Sequence, residues 1–137
     1  MRGRGDMSGA ERRKFKRVLF TIEDGIIGTL SMPGAEDRKI TADIINISEG
    51  GICLTFKPIL NQKIKEGDRL LLTELKSAKS KQLIINVDTE IKWISDSELS
   101  DKVGTGCEFV DVLDDKKSDI NEFVEYWYLQ KMENNVQ

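Results

Sequence analysis

The chain has 137 residues, of which 39% are hydrophobic and 33% are charged, a balance typical of a soluble globular protein with one domain. No apolar run approaches the roughly 20 residues that cross a bilayer, and residues 1–10 lack the apolar stretch of a secretory signal, so a cytoplasmic protein is expected. The absence of histidine removes the commonest general base, and the two cysteines, Cys53 and Cys107, cannot form a common zinc site by themselves. These counts argue against an enzyme, and we expect no catalytic residue, no metal and no cofactor.

The charges are distributed unevenly along the chain. Residues 1–17 contain seven Lys or Arg against two acidic residues, whereas the rest of the chain contains 14 basic and 22 acidic residues. An acidic body is unsuited to general binding of duplex nucleic acid, which needs many contacts between cations and phosphates. A small anionic ligand held by one basic segment remains compatible with this pattern, and no nucleic-acid partner is expected.

The first informative element in chain order is this basic segment. Residues 1–10 are charged and glycine-rich, which predicts a flexible tail. Residues 12–17 then contain five cations around one aromatic residue, Phe15, a composition usual for a solvated arm. Arg13 and Arg17 are four residues apart, however, and this spacing suits a turn that leaves two guanidinium groups able to reach one ligand. Guanidinium groups bind phosphate oxygens and the acceptor edge of guanine bidentately.

The middle of the chain is predicted to be β-structure. A first strand is interrupted by a tight-turn signal at 23–25, and the strand at 85–93 shows the cleanest alternation, from Ile85 through Val87 and Ile91 to Trp93. The other turn or loop signals lie at 32–37, 64–68, 77–82 and 95–102. The predicted strands cover residues 18–22, 26–32, 40–47, 52–56, 69–75, 85–93 and 103–110.

A polar motif ends the predicted strand at 40–47. Asn46 and Ser48 are two residues apart, so they face one side of the strand and can hold hydrogen-bonding groups, while the alternating isoleucines, such as Ile45, face the core. Gly50 and Gly51 follow, and they permit positive φ angles and a close approach of the backbone to a ligand. The alternative is an ordinary polar turn in which the Asn or Ser side chain bonds its own backbone.

Together, Arg13-x-x-x-Arg17 and Asn46-x-Ser48-x-x-Gly51 resemble the two signatures of the PilZ domain family in order, spacing and strand context. The resemblance covers about residues 11–112. It implies a mainly β fold, a six-stranded antiparallel PilZ-type split β-barrel followed by a C-terminal α-helix. The chain is then divided into a tail at 1–10, a barrel domain at 11–112 and a segment at 113–137 whose helix packs on the barrel.

For function, the resemblance implies non-catalytic binding of the bacterial second messenger cyclic di-GMP. In the family the two arginines clasp phosphate and guanine groups, the Asn and Ser bind guanine, and the glycine makes room for the ligand. An arginine directly before the first motif favours an intercalated pair of nucleotides over a single one. Binding is expected to order the N-terminal segment and so to signal to a downstream protein partner. Carried over by position, the implied ligand-binding residues are Arg12, Arg13, Arg17, Asn46, Ser48 and Gly51.

Three further residues could border the ligand, namely Gly50, Trp93 and Gly106. For Trp93, packing in the core is favoured over a place in a pocket wall, since the residue continues the apolar alternation of its strand. For Gly106, the favoured interpretation is a strand thinned by glycine at a bend of the barrel.

The period of the apolar residues changes after residue 115, which predicts an amphipathic helix with Ser118 or Asp119 as its cap. This helix is expected to cover one opening of the barrel. Tyr126, Leu129 and Met132 add apolar surface outside the stripe, which could contact a partner protein or a second copy of the chain in a homodimer. The stripe consists of Ile120, Phe123, Val124, Trp127 and Tyr128.

Two other functions compete with the receptor hypothesis. The first is a protein–protein interaction adaptor with the same architecture that does not bind nucleotide, although such members usually lack the arginine motif that this chain keeps. The second is a small-barrel nucleic-acid-binding protein that uses the basic tail. The sequence contains no motif that identifies the downstream pathway.

Overall fold

The computed structural model of the protein describes residues 16–32, 35–57, 64–77, 82–96 and 101–136. The predicted tail at 1–10, together with Arg12, Arg13 and Phe15, lies outside the described residues. The described residues form seven strands, one turn of 3₁₀ helix at Ile22–Asp24 and one α-helix. The strands are β1 (Arg17–Leu19), β2 (Ile27–Met32), β3 (Ala35–Ser48), β4 (Gly51–Phe56), β5 (Arg69–Lys76), β6 (Gln82–Asp96) and β7 (Val103–Phe109), and the helix is α1 (Asp114–Val136).

The strands close into an antiparallel barrel. Six of them follow one another in the order β3, β2, β5, β6, β7 and β4, and pairing of β4 with β3 closes the ring. The short strand β1 is an additional seventh strand beside β3. This six-stranded barrel with one C-terminal helix confirms the predicted fold class.

Strands β1 and β2 are two parts of one interrupted strand, because both pair with the same side of β3. β1 pairs with residues 46–48 of β3, and β2 pairs with residues 35–43. Between them, the carboxylate of Asp24 accepts a hydrogen bond from the backbone N–H of Thr21 at 2.8 Å, and Gly25 takes the left-handed conformation with φ of 59°. Glycine adopts this conformation without steric cost, which explains the turn signal at 23–25.

The barrel interior is filled by side chains that alternate along each strand. In β4, Ile52, Leu54 and Phe56 are buried while the residues between them are partly exposed. Thr89, in the middle of β6, is a polar residue that is buried in this interior. Its hydroxyl donates a hydrogen bond to the carbonyl of Leu70 at 2.9 Å, so the buried hydroxyl is paired. Burying each large aliphatic side chain contributes about 1.5–3 kcal/mol, so this interior is the main source of stability.

Helix α1 packs its predicted apolar stripe onto the barrel. Phe123 and Val124 are fully buried, and the ring of Trp127 meets the ring of Phe20 edge to face, with centroids 5.5 Å apart. Two ion pairs add to this contact: the ammonium group of Lys16 lies 2.7 Å from the carboxylate of Glu125, and Lys131 is paired with Asp24. The helix therefore holds both ends of the segment that contains β1.

The predicted start of the helix is wrong by one turn. Helix α1 begins at Asp114, and the backbone N–H of Lys117 already donates to the carbonyl of Leu113 at 2.9 Å. Asp114 and Asp115 place negative charge in the first turn, where it interacts favourably with the helix dipole. Most side chains in this turn are exposed, so it carries no apolar periodicity that could have marked it. Ser118 is consequently inside the helix and is not its cap.

Within the described ranges, no helix is both long enough and apolar enough to cross a membrane.

Candidate functional site

The residues of the two sequence motifs that the structure describes lie at one cleft on the outer surface of the barrel. The cleft has a volume of about 320 Å³, and its floor is formed by β3, β4, β7 and β6, with β1 at one side. The lining residues are Arg17, Asn46, Ser48, Gly50, Gly51, Ile52, Cys53, Lys92, Trp93, Gly106, Cys107 and Glu108.

The strand register explains why residues distant in sequence meet here. One row of partners runs across four adjacent strands, from Asn46 through Cys53 and Gly106 to Trp93. All four residues line the cleft. Because side chains two residues apart face the same side of a strand, a second row of lining residues lies two positions further along, where Gly51 is paired with Glu108.

Strand β1 brings the first motif to the second. Val18 is only 2% exposed and anchors β1 in the core, so its neighbour Arg17 faces outward. Arg17 is the register partner of Ser48, and the two residues belong to different motifs. The structure thus places the last arginine of the first motif directly across from the serine of the second.

A β-bulge shapes the β3 side of the cleft. Ile44 pairs with Leu54, and Asn46 pairs with Cys53, so Ile45 is an extra residue without a partner in β4. As a result Ile44 is buried, whereas Ile45 is 43% exposed. The expectation that Ile45 faces the core is therefore wrong, because the bulge shifts the alternation by one residue.

A second bulge shapes the β6 side. Ile91 pairs with Cys107, and Trp93 pairs with Gly106, which leaves Lys92 as the extra residue. Lys92 and Trp93 consequently both face the cleft, although they are adjacent in sequence. Trp93 is 45% exposed, so the favoured core position is wrong and its indole forms part of the cleft wall.

Two glycines let neighbouring groups approach closely. A Cβ atom on Gly51 would lie 2.4 Å from the carbonyl oxygen of Cys107, and one on Gly106 would lie 1.9 Å from the indole nitrogen of Trp93. Among the glycines that the structure describes, positive φ angles occur at Gly25 and Gly67. The backbone conformation at position 51 therefore does not require a glycine. Position 51 requires a glycine because strand β7 approaches it closely. The expected positive φ angle is not found there.

Ser48 already has one partner within the protein. The residue is only 7% exposed, and its hydroxyl accepts a hydrogen bond from the backbone N–H of Gly50 at 3.2 Å. The ordinary polar-turn interpretation is thus correct as far as it goes. A hydroxyl has one donor and two acceptor positions, so this contact leaves Ser48 able to bind a ligand as well.

The charged groups of the cleft come from several strands. Among the residues that the structure describes, Arg17 and Lys92 are the cations that line it, and Glu108 supplies a carboxylate. The ammonium group of Lys92 lies 2.8 Å from the carboxylate of Glu90 and 3.9 Å from that of Glu108. The hydrogen bond to Glu90 raises the pKa of Lys92, and the same contact lowers the pKa of Glu90, so both groups are ionised at neutral pH.

Comparison with known proteins identifies the fold family. The model of the PilZ domain matches residues 11–126. The chain belongs to the PilZ domain family. No curated protein compared with the sequence matches it.

Three solved structures show the same PilZ fold. The PilZ domain of YcgR from Escherichia coli, solved with cyclic di-GMP, has a TM-score of 0.68 and 11% identity, and the match covers 92% of this chain and 98% of that one. MrkH of K. pneumoniae in complex with cyclic di-GMP has a TM-score of 0.70 and 19% identity, over 90% of this chain and 55% of that one. The Bacillus subtilis inhibitor of motility MotI has a TM-score of 0.62 and 18% identity, over 88% of this chain and 53% of that one. The chain therefore spans about half the length of MrkH and MotI.

The structure brings most of the predicted site residues of this PilZ domain together. Arg12 and Arg13 lie outside the described residues. Two charged lining residues were not predicted: Lys92 faces the cleft because of a bulge that strand alternation does not reveal, and Glu108 belongs to neither motif. The predicted residues that line the one cleft are Arg17, Asn46, Ser48, Gly50, Gly51, Trp93 and Gly106.

Proposed function

We propose that this protein is a non-catalytic receptor for cyclic di-GMP, which binds through the RxxxR and NxSxxG motifs. The single observation that carries the proposal is the pairing of Arg17 with Ser48 on adjoining strands, with both residues at one cleft. Two separate sequence motifs meet there without any rearrangement of the barrel.

The chemistry of the cleft matches the ligand. Cyclic di-GMP carries two phosphate charges and two guanine bases, so a receptor needs cationic donors, hydrogen-bonding groups and a flat surface for stacking. Arg17 supplies a guanidinium group, Asn46 and Ser48 supply an amide and a hydroxyl, and the exposed indole of Trp93 supplies an aromatic face. Each of these groups lines the same cleft on the outer surface of the barrel.

Arg12 and Arg13 complete the binding site in this proposal. We place Arg13 beside Arg17 on the ligand, and Arg12 favours an intercalated pair of nucleotides over a single one. Binding then orders the N-terminal basic segment, at an entropic cost that charge-assisted hydrogen bonds of about 1.5–3 kcal/mol each offset. In this scheme the functional unit is the barrel at 11–112 with the helix segment 113–137 packed on it.

The output of the proposed receptor passes through helix α1. Lys16, which directly precedes Arg17, is paired with Glu125 on the helix, and Phe20 contacts Trp127. A conformational change in the basic segment therefore acts directly on residues that contact helix α1. The exposed apolar residues of α1, Leu129 and Met132 among them, are the proposed contact with a downstream protein or a second copy of the chain.

The test is isothermal titration of the purified chain with cyclic di-GMP. We expect Arg17→Ala to weaken binding roughly 10- to 150-fold, which corresponds to the loss of one charge-assisted hydrogen bond. Lys57→Ala, which removes a cation that does not line the cleft, is the matched control and should bind like the wild type.

Absence of heat at tens of micromolar nucleotide with a folded sample would reject the receptor. The adaptor function becomes the better hypothesis if alanine at both Arg13 and Arg17 leaves binding and cellular output unchanged. Strongly salt-dependent binding to oligonucleotides, without preference for the cyclic dinucleotide, would favour a nucleic-acid-binding function.

A further inference from the structure

Lys92 is placed in the cleft by the bulge in β6, and neither sequence motif includes it. As the extra residue between the pairs Ile91–Cys107 and Trp93–Gly106, it faces outward beside Trp93. Bulges commonly occur next to binding sites, where they re-aim a side chain. Here the bulge adds a cation to the wall that lies farthest from Arg17.

The positions of the two cations suit a ligand held between them. Arg17 is on β1, and the strand order across the cleft floor is β1, β3, β4, β7 and β6. Four strand spacings of about 4.8 Å therefore separate the strands of Arg17 and Lys92 along the curved sheet, a span of roughly 19 Å. An anion with two phosphate groups can meet one cation from each side.

Lys92 also lies between two carboxylates. Glu90 and Glu108 are register partners on β6 and β7, and the Lys92 ammonium group is 2.8 Å from the first and 3.9 Å from the second. Like charges placed directly opposite each other on paired strands are destabilising, so Lys92 offsets their repulsion. An ammonium group has three donors, and it can keep one carboxylate while it donates to another acceptor.

We propose that Lys92 is a further phosphate-binding residue of this cleft, and that Glu90 competes with the phosphate for its ammonium group. The inference rests on the proposed binding of cyclic di-GMP and adds a residue outside the two motifs. Lys92 contacts the phosphate farther from Arg17. Glu90 holds the ammonium group and so reduces the affinity for the anion.

A purely structural role for Lys92 gives a different expectation. An exposed ion pair contributes about 0–1 kcal/mol to stability, and the loss of a charge that lies more than a Debye length of about 10 Å from the ligand has little effect on binding. Lys57 and Asp101 form such a pair, 3.7 Å apart and outside the cleft. This second pair allows the same charges to be removed at a distance from the site.

The experiment titrates cyclic di-GMP into the full chain by isothermal titration calorimetry, at low and at high salt. We expect Lys92→Met to weaken binding roughly tenfold or more and to reduce the salt dependence, and Lys92→Arg to retain most of the affinity. Glu90→Gln should tighten binding up to about fivefold, because it removes the competing carboxylate. The matched controls, Lys57→Met and Asp101→Asn, should change affinity less than twofold.

The outcomes separate this inference from the proposed function. If the wild-type chain binds the nucleotide and Lys92→Met binds as tightly as Lys57→Met, the role of Lys92 is refuted while the receptor stands. Weaker binding by Glu90→Gln refutes the competition. If the wild-type chain does not bind the nucleotide at all, both the receptor and the role of Lys92 are refuted.

Discussion

Three glycines at or near the cleft provide a sharp test of the structure, because the same substitution by alanine meets a different neighbour at each. At Gly51 the new Cβ would lie 2.4 Å from the backbone carbonyl of Cys107, and at Gly106 it would lie 1.9 Å from the indole nitrogen of Trp93. At Gly104, on the same strand as Gly106, the nearest atoms are 3.8 Å away, which is an ordinary contact.

The magnitude follows from what must move. At Gly51 the obstacle is the backbone of a paired strand, and overpacking of this kind costs about 1–3 kcal/mol, or a fall in Tm of roughly 3–15 °C for a domain of this size. At Gly106 the obstacle is a half-exposed side chain, which can rotate at a cost of about 0.5–1.5 kcal/mol. Displacing the Trp93 indole then removes a stacking surface worth about 1–3 kcal/mol per base, or roughly 5- to 150-fold in affinity for cyclic di-GMP.

The assays are thermal unfolding, acrylamide quenching of tryptophan fluorescence and nucleotide titration. Gly51→Ala should lower Tm. Gly106→Ala should change the quenching of Trp93 and weaken binding, with a small loss of Tm. Gly104→Ala should leave Tm, quenching and binding unchanged. Trp127 is 4% exposed and contributes a constant, protected signal. Equal melting temperatures for Gly51→Ala and Gly104→Ala would refute the steric argument, and unchanged quenching in Gly106→Ala would refute the position of the indole.

Two further predictions concern titratable groups. Burial raises the pKa of Asp24, but hydrogen bonds from Lys131 and Thr21 outweigh this effect and hold the pKa below its usual value. The ionised Asp24 therefore stabilises the fold above about pH 4, and this stabilisation is lost as the pH falls through the pKa of the folded state. Asp24→Asn should therefore lower Tm at pH 7 and much less at pH 3, and an equal loss at both pH values would contradict this. Burial raises the pKa of the Cys107 thiol, whereas Cys53 is partly exposed in the cleft. Maleimide should therefore modify Cys53 first, and cyclic di-GMP should slow that reaction. A modification rate that saturating nucleotide does not change would contradict the position of the ligand.

The strands could be predicted because most of them alternate clearly and several turns carry glycine signals, whereas the barrel was implied by the resemblance to the PilZ domain family. The bulges at Ile45 and Lys92 could not be predicted. Apolar residues recur on both sides of each extra residue, so the sequence does not show where the strand changes the side that it buries. Trp93 shows the difficulty: its position continues the alternation of Ile91, yet the bulge at Lys92 turns it outward. The site was predictable where motifs exist, at Arg17 and Ser48, and not where a lining residue such as Lys92 depends on strand geometry alone.

The start of β3 shows the same limit in another form. A loop was predicted at 32–37 from its Pro-Gly pair, but Ala35 already pairs with Met32. Backbone pairing in a hairpin needs no apolar side chain, because the hydrogen bonds join main-chain groups only. A Pro-Gly signal therefore does not fix the residue at which the paired strand begins.

The position of β1 links the cleft to the helix in physical terms. This strand has three residues, of which Val18 enters the core and Arg17 faces the cleft, while Lys16 on its N-terminal side and Phe20 on its C-terminal side contact α1. A ligand can shift an equilibrium only by its differential affinity for two states, and direct coupling to the helix requires an element that contacts both the ligand and α1. In the proposed receptor β1 meets that requirement, because a phosphate bound to Arg17 fixes the strand whose flanking residues hold α1 against the barrel.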